Sequence, residues 1–108
     1  MAKVVFSLCF IGILLCLSFC SIYAQILNDW CISQEHTSDE KLQAVLDDVC
    51  GRLDCKEIQP GGSCYEPNTY KNHGSYALDL DYRANSACDV GYAMRTPFNP
   101  SHGNCVFP

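Results

Sequence analysis

Two carboxylate pairs, Asp47-Asp48 and Asp79-x-Asp81, are the first residues in this 108-residue chain that could do chemistry. Glycoside hydrolysis works with two such groups, one on each side of the bond to be cut. Here Asp47 and Asp48 fall on the polar side of a helical pattern, where neighbouring carboxylates are ordinarily solvated charge. So short a chain also has little room for the deep, water-excluding cleft that catalysis needs. His36, His73 and His102 are scattered, with no serine or free cysteine paired to them as a nucleophile. Asp79, Asp81 and Asp89 lack the loop spacing of an EF-hand and read as surface charge. No enzyme activity, metal or cofactor is expected.

The tyrosines point to a different chemistry. Tyr65, Tyr70, Tyr76, Tyr82 and Tyr92 stand with Trp30, Phe98 and Phe107 in the chain beyond residue 24. A tyrosine joins an apolar face to a polar tip. That suits a pyranose ring, which carries C–H groups on its face and hydroxyls at its rim. The alternative is that the rings fill a core poor in aliphatics, which is hard to sustain for all five. Three of them gather around PGGSCYEPNTY, residues 60–70. The expectation is that Tyr65, Tyr70 and Tyr76 surround one shallow face, built from this glycine-rich loop and a following helix. Asn68, Asn72 and Asp79 would meet the sugar hydroxyls, and the glycines would bring backbone close to the ligand. Trp30, next to Cys31, reads as buried and structural.

The elements that position these residues begin after a leader. One lysine, an apolar run from Val4 to Cys20 and small residues ending at Ala24 have the anatomy of a secretory signal peptide. The alternative, a retained membrane anchor, lacks a basic cluster after the apolar run. Residues 1–24 are therefore read as a cleaved signal and residues 25–108 as a single domain. Cys9, Cys16 and Cys20 leave with the leader, and Cys31, Cys50, Cys55, Cys64, Cys88 and Cys105 remain. Six cysteines in a small secreted domain imply three disulfides, with fifteen connectivities open. A zinc site would need a second close pair of ligands beside Cys50 and Cys55.

Charge narrows the partners. Beyond the leader, six basic residues face twelve acidic ones. Nucleic acid requires a basic face, and cationic membrane-disrupting peptides are excluded in the same way. A neutral ligand fits better. The chain shows no lipid-anchor addition signal at its end, and Asn99-Pro100-Ser101 is blocked as a glycosylation sequon by its proline. The product expected is a free, secreted monomer.

Thr37-Ser38-Asp39-Glu40 has the spacing of a capping box. Leu42, Val45, Leu46 and Val49 then repeat with helical period, and Gly51 reads as the stop. A second helix is expected over about 69–83 with Asn68 as its cap. Gly74 inside it costs about 1 kcal/mol relative to alanine, which predicts a loose middle. Short extended pieces are expected near Tyr92–Met94 and Cys105–Phe107.

Trp30-Cys31, LQAVLDDVCG at 42–51, IQPGGSCYEPNTY at 58–70, SYALDLDY at 75–82, Cys88 and PSHGNCVFP at 100–108 together resemble the plant family-43 carbohydrate-binding module, also called the X-eight domain. The resemblance takes in all six cysteines. It implies a small, disulfide-rich, mainly α fold of two helices, a very small antiparallel sheet and long coils. It implies the pairing Cys31–Cys88, Cys50–Cys55 and Cys64–Cys105. It also implies a secreted, non-catalytic module of the apoplast and cell wall that binds β-1,3-glucan such as callose or laminarin, with a separate glucanase as a further partner. The chain is similar to the standalone, olive-pollen-allergen-like form. It departs from the family at Asp79, Leu80 and Asp81, where Asn, a small residue and Tyr are usual, and at Val90, where Phe is common. The competing function is a structural or signalling role in pollen or wall without glucan binding. A defence peptide or lipid carrier would need a basic face or a large apolar tunnel.

Overall fold

A computed structural model describes residues 11–13, 15, 16, 28–88 and 90–108. The expected leader boundary at Ala24 and Gln25 lies outside the described residues, as does Asp89. Among the described residues no helix is long and apolar enough to cross a membrane. The order after residue 28 is β1 (Trp30–Ser33), α1 (Asp39–Arg52), a one-turn 3-10 helix (Lys56–Ile58), α2 (Tyr70–Asn85) and β2 (Ala93–Thr96). This is the small, disulfide-rich, mainly helical architecture expected.

The apolar period of α1 buries Leu42, Val45 and Val49. Its cap differs from the capping-box reading. Ser38, not Thr37, is the N-cap, and its hydroxyl accepts the Lys41 N–H at 3.3 Å. The Thr37 hydroxyl instead donates to the Gln34 carbonyl at 2.9 Å. Gly51 does not stop the helix either, because α1 continues through it to Arg52. The closing bond runs from the Leu53 N–H to the Val49 carbonyl at 2.7 Å.

α2 starts one residue later than expected and runs two residues further. Thr69 rather than Asn68 caps it, its hydroxyl accepting the Asn72 N–H at 3.1 Å. Ser86 closes the other end in the left-handed region, φ 55°. The middle of α2 is not loose. A Cβ built on Gly74 would sit 2.7 Å from Leu42 Cδ2 and 3.2 Å from Leu42 Cβ. The missing side chain is what allows α1 and α2 to approach here, so the helix-propensity cost is spent on packing.

β1 and β2 pair antiparallel in the register Trp30↔Thr96, Cys31↔Arg95, Ile32↔Met94 and Ser33↔Ala93. The extended piece near the C-terminus is a single bridge between His102 and Cys105. α2 packs on β1 through side-chain bonds to its backbone. The Ser33 N–H donates to Ser75 Oγ at 3.1 Å, and the Cys31 N–H donates to Asp79 Oδ1 at 2.9 Å.

The core has two parts. One gathers Trp30, Cys55, Ile58, Cys64, Tyr76, Cys105 and Phe107; the other gathers Cys31, Val45, Val49, Ala77 and Leu78. Trp30 is buried as expected. The disulfides pair Cys31–Cys88, Cys50–Cys55 and Cys64–Cys105, with Cα–Cα distances of 5.9, 5.4 and 4.6 Å. That is the connectivity the resemblance implies.

Candidate functional site

The loop from Pro60 to Thr69 carries the candidate site, and close packing fixes one of its glycines. A Cβ on Gly62 would lie 2.4 Å from the Glu57 carbonyl oxygen and 2.5 Å from that of Lys56. Gly62 is therefore required where the loop folds onto the 3-10 helix, and with Gly61 it also lines an open groove beside Glu57 and Asn104. Cys64, tied to Cys105, then anchors the segment in the core.

From that anchor the chain presents Tyr65, half-buried, against the first turn of α2. The Tyr65 and His73 rings stack with centroids 5.3 Å apart and planes 29° from parallel. His73 Nε2 lies 2.7 Å from the Tyr65 carbonyl oxygen. Because a carbonyl only accepts, the imidazole N–H donates. The two rings open onto a cleft of about 360 Å3 walled by Gln43, Asp47, Gln59, Pro60 and Asn68. Gln43 Nε2 donates to Asp47 Oδ1 at 2.8 Å across one turn of α1. Aromatic rings thus stand beside carboxamides and a carboxylate, all able to bond hydroxyls.

The six expected site residues separate. Tyr65 and Asn68 share the cleft. Asn72 does not face it. Its side-chain amide donates to the Cys64 carbonyl at 2.9 Å and the Pro67 carbonyl at 3.1 Å, and it lines a second groove with Pro67, Thr69, Ser75, His102 and Phe107. Tyr70 is 42% exposed but does not line the Tyr65 cleft.

Tyr76 and Asp79 differ from the expectation of a shallow exposed face, because both are buried. Tyr76 is 5% exposed and meets Phe107 edge to face, centroids 5.5 Å apart, in the first core. Asp79 is 0% exposed, which overturns the reading of it as surface charge. Ser75 and Asp79, four residues apart, share the face of α2 that bonds the β1 backbone, and Tyr76 beside Ser75 packs on Phe107. Burial pushes the Asp79 carboxyl up to about 6, against the opposing pull of the Cys31 N–H and of Arg83. The other acidic departure, Asp81, also lies off the cleft, bonded by Asn85 at 2.7 Å and Arg52 at 3.4 Å.

Gln43, Asp47, Gln59 and His73 were not among the expected contacts. Gln43 and Asp47 sit four residues apart on the outer side of α1, a visible spacing. Their nearness to Tyr65 depends on the α1–α2 packing, which no local pattern shows. Tyr82 and Tyr92 are structural: the Tyr82 hydroxyl bonds Asp29 Oδ1 at 3.0 Å, and both rings pack against the second core.

These features define a small, disulfide-stapled binding module. The X8 domain signature matches residues 29–94, and the chain belongs to that family of carbohydrate-binding modules. It is 48% identical over 86 residues to Glucan endo-1,3-beta-glucosidase 1 of Arabidopsis thaliana, covering 73% of this chain and 17% of the relative. It is 41% identical over 87 residues to Glucan endo-1,3-beta-D-glucosidase of Olea europaea, covering 75% and 19%. It is 36% identical over 85 residues to the Major pollen allergen Ole e 10 of Olea europaea, covering 72% and 69%. The chain thus spans less than a fifth of the glucosidases it matches.

Proposed function

We propose that the chain is a secreted, non-catalytic module that binds β-1,3-glucan in the plant cell wall. The observation that carries this reading is the half-buried Tyr65 ring, opening onto a cleft walled by Gln43, Asp47, Gln59 and Asn68. A glucose unit stacks its C–H face on Tyr65 while Asn68 and the α1 side chains bond its hydroxyls. The relatives named for acting on 1,3-β-glucan support the choice of polymer. The module acts as a monomer after loss of residues 1–24 and works beside a separate glucanase.

A shallow site for a neutral sugar binds in roughly the micromolar to millimolar range, since hydroxyls exchange water for little net gain. Added salt changes the affinity little, because the glucan itself carries no charge. The test is calorimetric titration of laminarin into the parent, Tyr65→Ala and Asn68→Ala. Loss of most binding in Tyr65→Ala is the expected result. Parent-like binding by both variants moves the site elsewhere, and no binding by the parent favours a structural role in wall or pollen.

A further inference from the structure

Tyr65 stands in a loop whose carbonyls are gripped one after another. Asn72 holds those of Cys64 and Pro67, and His73 holds that of Tyr65 at 2.7 Å. His102 Nε2 lies 3.3 Å from that of Glu66. Three of these four successive carbonyls thus accept from α2 side chains, and the fourth faces a His102 ring nitrogen. An exposed loop would ordinarily leave such groups to water, so this one is held in a single shape. Within it His73 touches both parts of Tyr65, its imidazole donating to the backbone and stacking on the phenol ring.

We propose that His73 is a positioning residue for sugar binding: it fixes the Tyr65 ring so that the other face stays open to the ligand. This rests on the glucan reading of the cleft. A ring held in place before binding loses less rotational freedom when it meets the sugar, and that saving appears as affinity. The imidazole also covers one face of the phenol, which limits stacking to one sugar on the opposite face.

The test combines a double-mutant cycle with a ligand-free measurement. His73→Ala is expected to weaken laminarin binding about five- to tenfold, the scale of one hydrogen bond with its ordering. The same change in a Tyr65→Ala background is expected to cost less than about twofold, because the two residues act as one unit. Without ligand, the Hα–Hβ scalar couplings of Tyr65 should move from a single-rotamer pattern toward an averaged one. His73→Phe keeps a ring and drops the donor, and replaces His73→Ala should alanine lower stability. A His73→Ala loss equally large without Tyr65 means direct sugar contact and overturns the proposal. Unchanged Tyr65 couplings also overturn it. If the parent binds no laminarin the glucan reading fails, and the couplings still decide what His73 does to Tyr65.

Discussion

Asp79 accepts the Cys31 backbone N–H at 2.9 Å through Oδ1, while its other oxygen has no hydrogen-bond partner among the described residues. A fully buried carboxylate with one bare oxygen is costly, and a proton relieves the cost. The fold therefore holds the proton more tightly than the unfolded chain does, and the group rises from its ordinary 3.8 to about 6.

The sign of the pH dependence follows. Between about pH 4 and 6 the unfolded chain releases this proton while the folded protein keeps it, so stability falls as pH rises through that window. The loss, up to about 3 kcal/mol, is complete above the folded value. Asp79→Asn should be more stable than the parent at pH 7.5 and nearly equal at pH 4. Glu35, Asp48 and Glu57 are held low by bonds from Lys71, Arg52 and Ser63, and act the opposite way at lower pH. They are common to both proteins and cancel in the difference. Urea melts at the two pH values decide; a variant no more stable at pH 7.5 sinks the account.

Gly74→Ala should destabilise despite the better helix propensity of alanine. The new methyl meets Leu42, which is 2% exposed and enclosed by the core. Overpacking of this kind costs about 1–3 kcal/mol, against a propensity gain of about 1. Combining it with Leu42→Ala makes room, so the double variant should lose less than the sum of the single losses. Additive losses would falsify the close-approach reading of Gly74.

Tyr76→Ala should cost about 3–5 kcal/mol by emptying the space beside Phe107. Tyr76→Phe, which retains the ring, should stay folded and bind laminarin as the parent does. Thermal melts and titration together check this. Weakened binding in a stable Tyr76→Phe protein returns that residue to the site.

The staples should differ in weight. Cys31–Cys88 and Cys64–Cys105 span 57 and 41 residues, and Cys50–Cys55 spans 5. Loop-closure entropy assigns about 4 kcal/mol to each long one and about 2 to the short one. Full reduction should unfold the domain at room temperature, while Cys50→Ser with Cys55→Ser should leave circular dichroism unchanged. A reduced domain with native dichroism and measured free thiols shows that the core stands alone.

The helices were legible because Leu42, Val45 and Val49 repeat with the period of a buried helical face. Their ends were less so. Thr37 and Ser38 are both good caps, and Thr37 is drawn to the Gln34 carbonyl by a turn that spacing does not encode. The candidate cleft was half legible. Tyr65 and Asn68 share one cleft, as their local clustering suggests, whereas Asp79 is turned toward β1 and Tyr76 toward Phe107 by the packing of α2. A buried aspartate has no sequence signature of its own, because its partner, the Cys31 N–H, lies 48 residues away. The same holds for Gln43 and Asp47, which reach Tyr65 only through the α1–α2 contact.

The bonds from Ser33 and Cys31 to Ser75 and Asp79 bear on crowding as well as on folding. A two-stranded ribbon exposes two free margins, each a template onto which another chain can add a strand. On β1 that template is occupied by helix side chains, which leaves the outer margin of β2 among the described residues. That margin is four residues long, carries Arg95 and runs directly into Pro97, which has no N–H to offer. Copies held close together therefore have little backbone with which to zip together. The ribbon can be displayed at high local density without seeding aggregates.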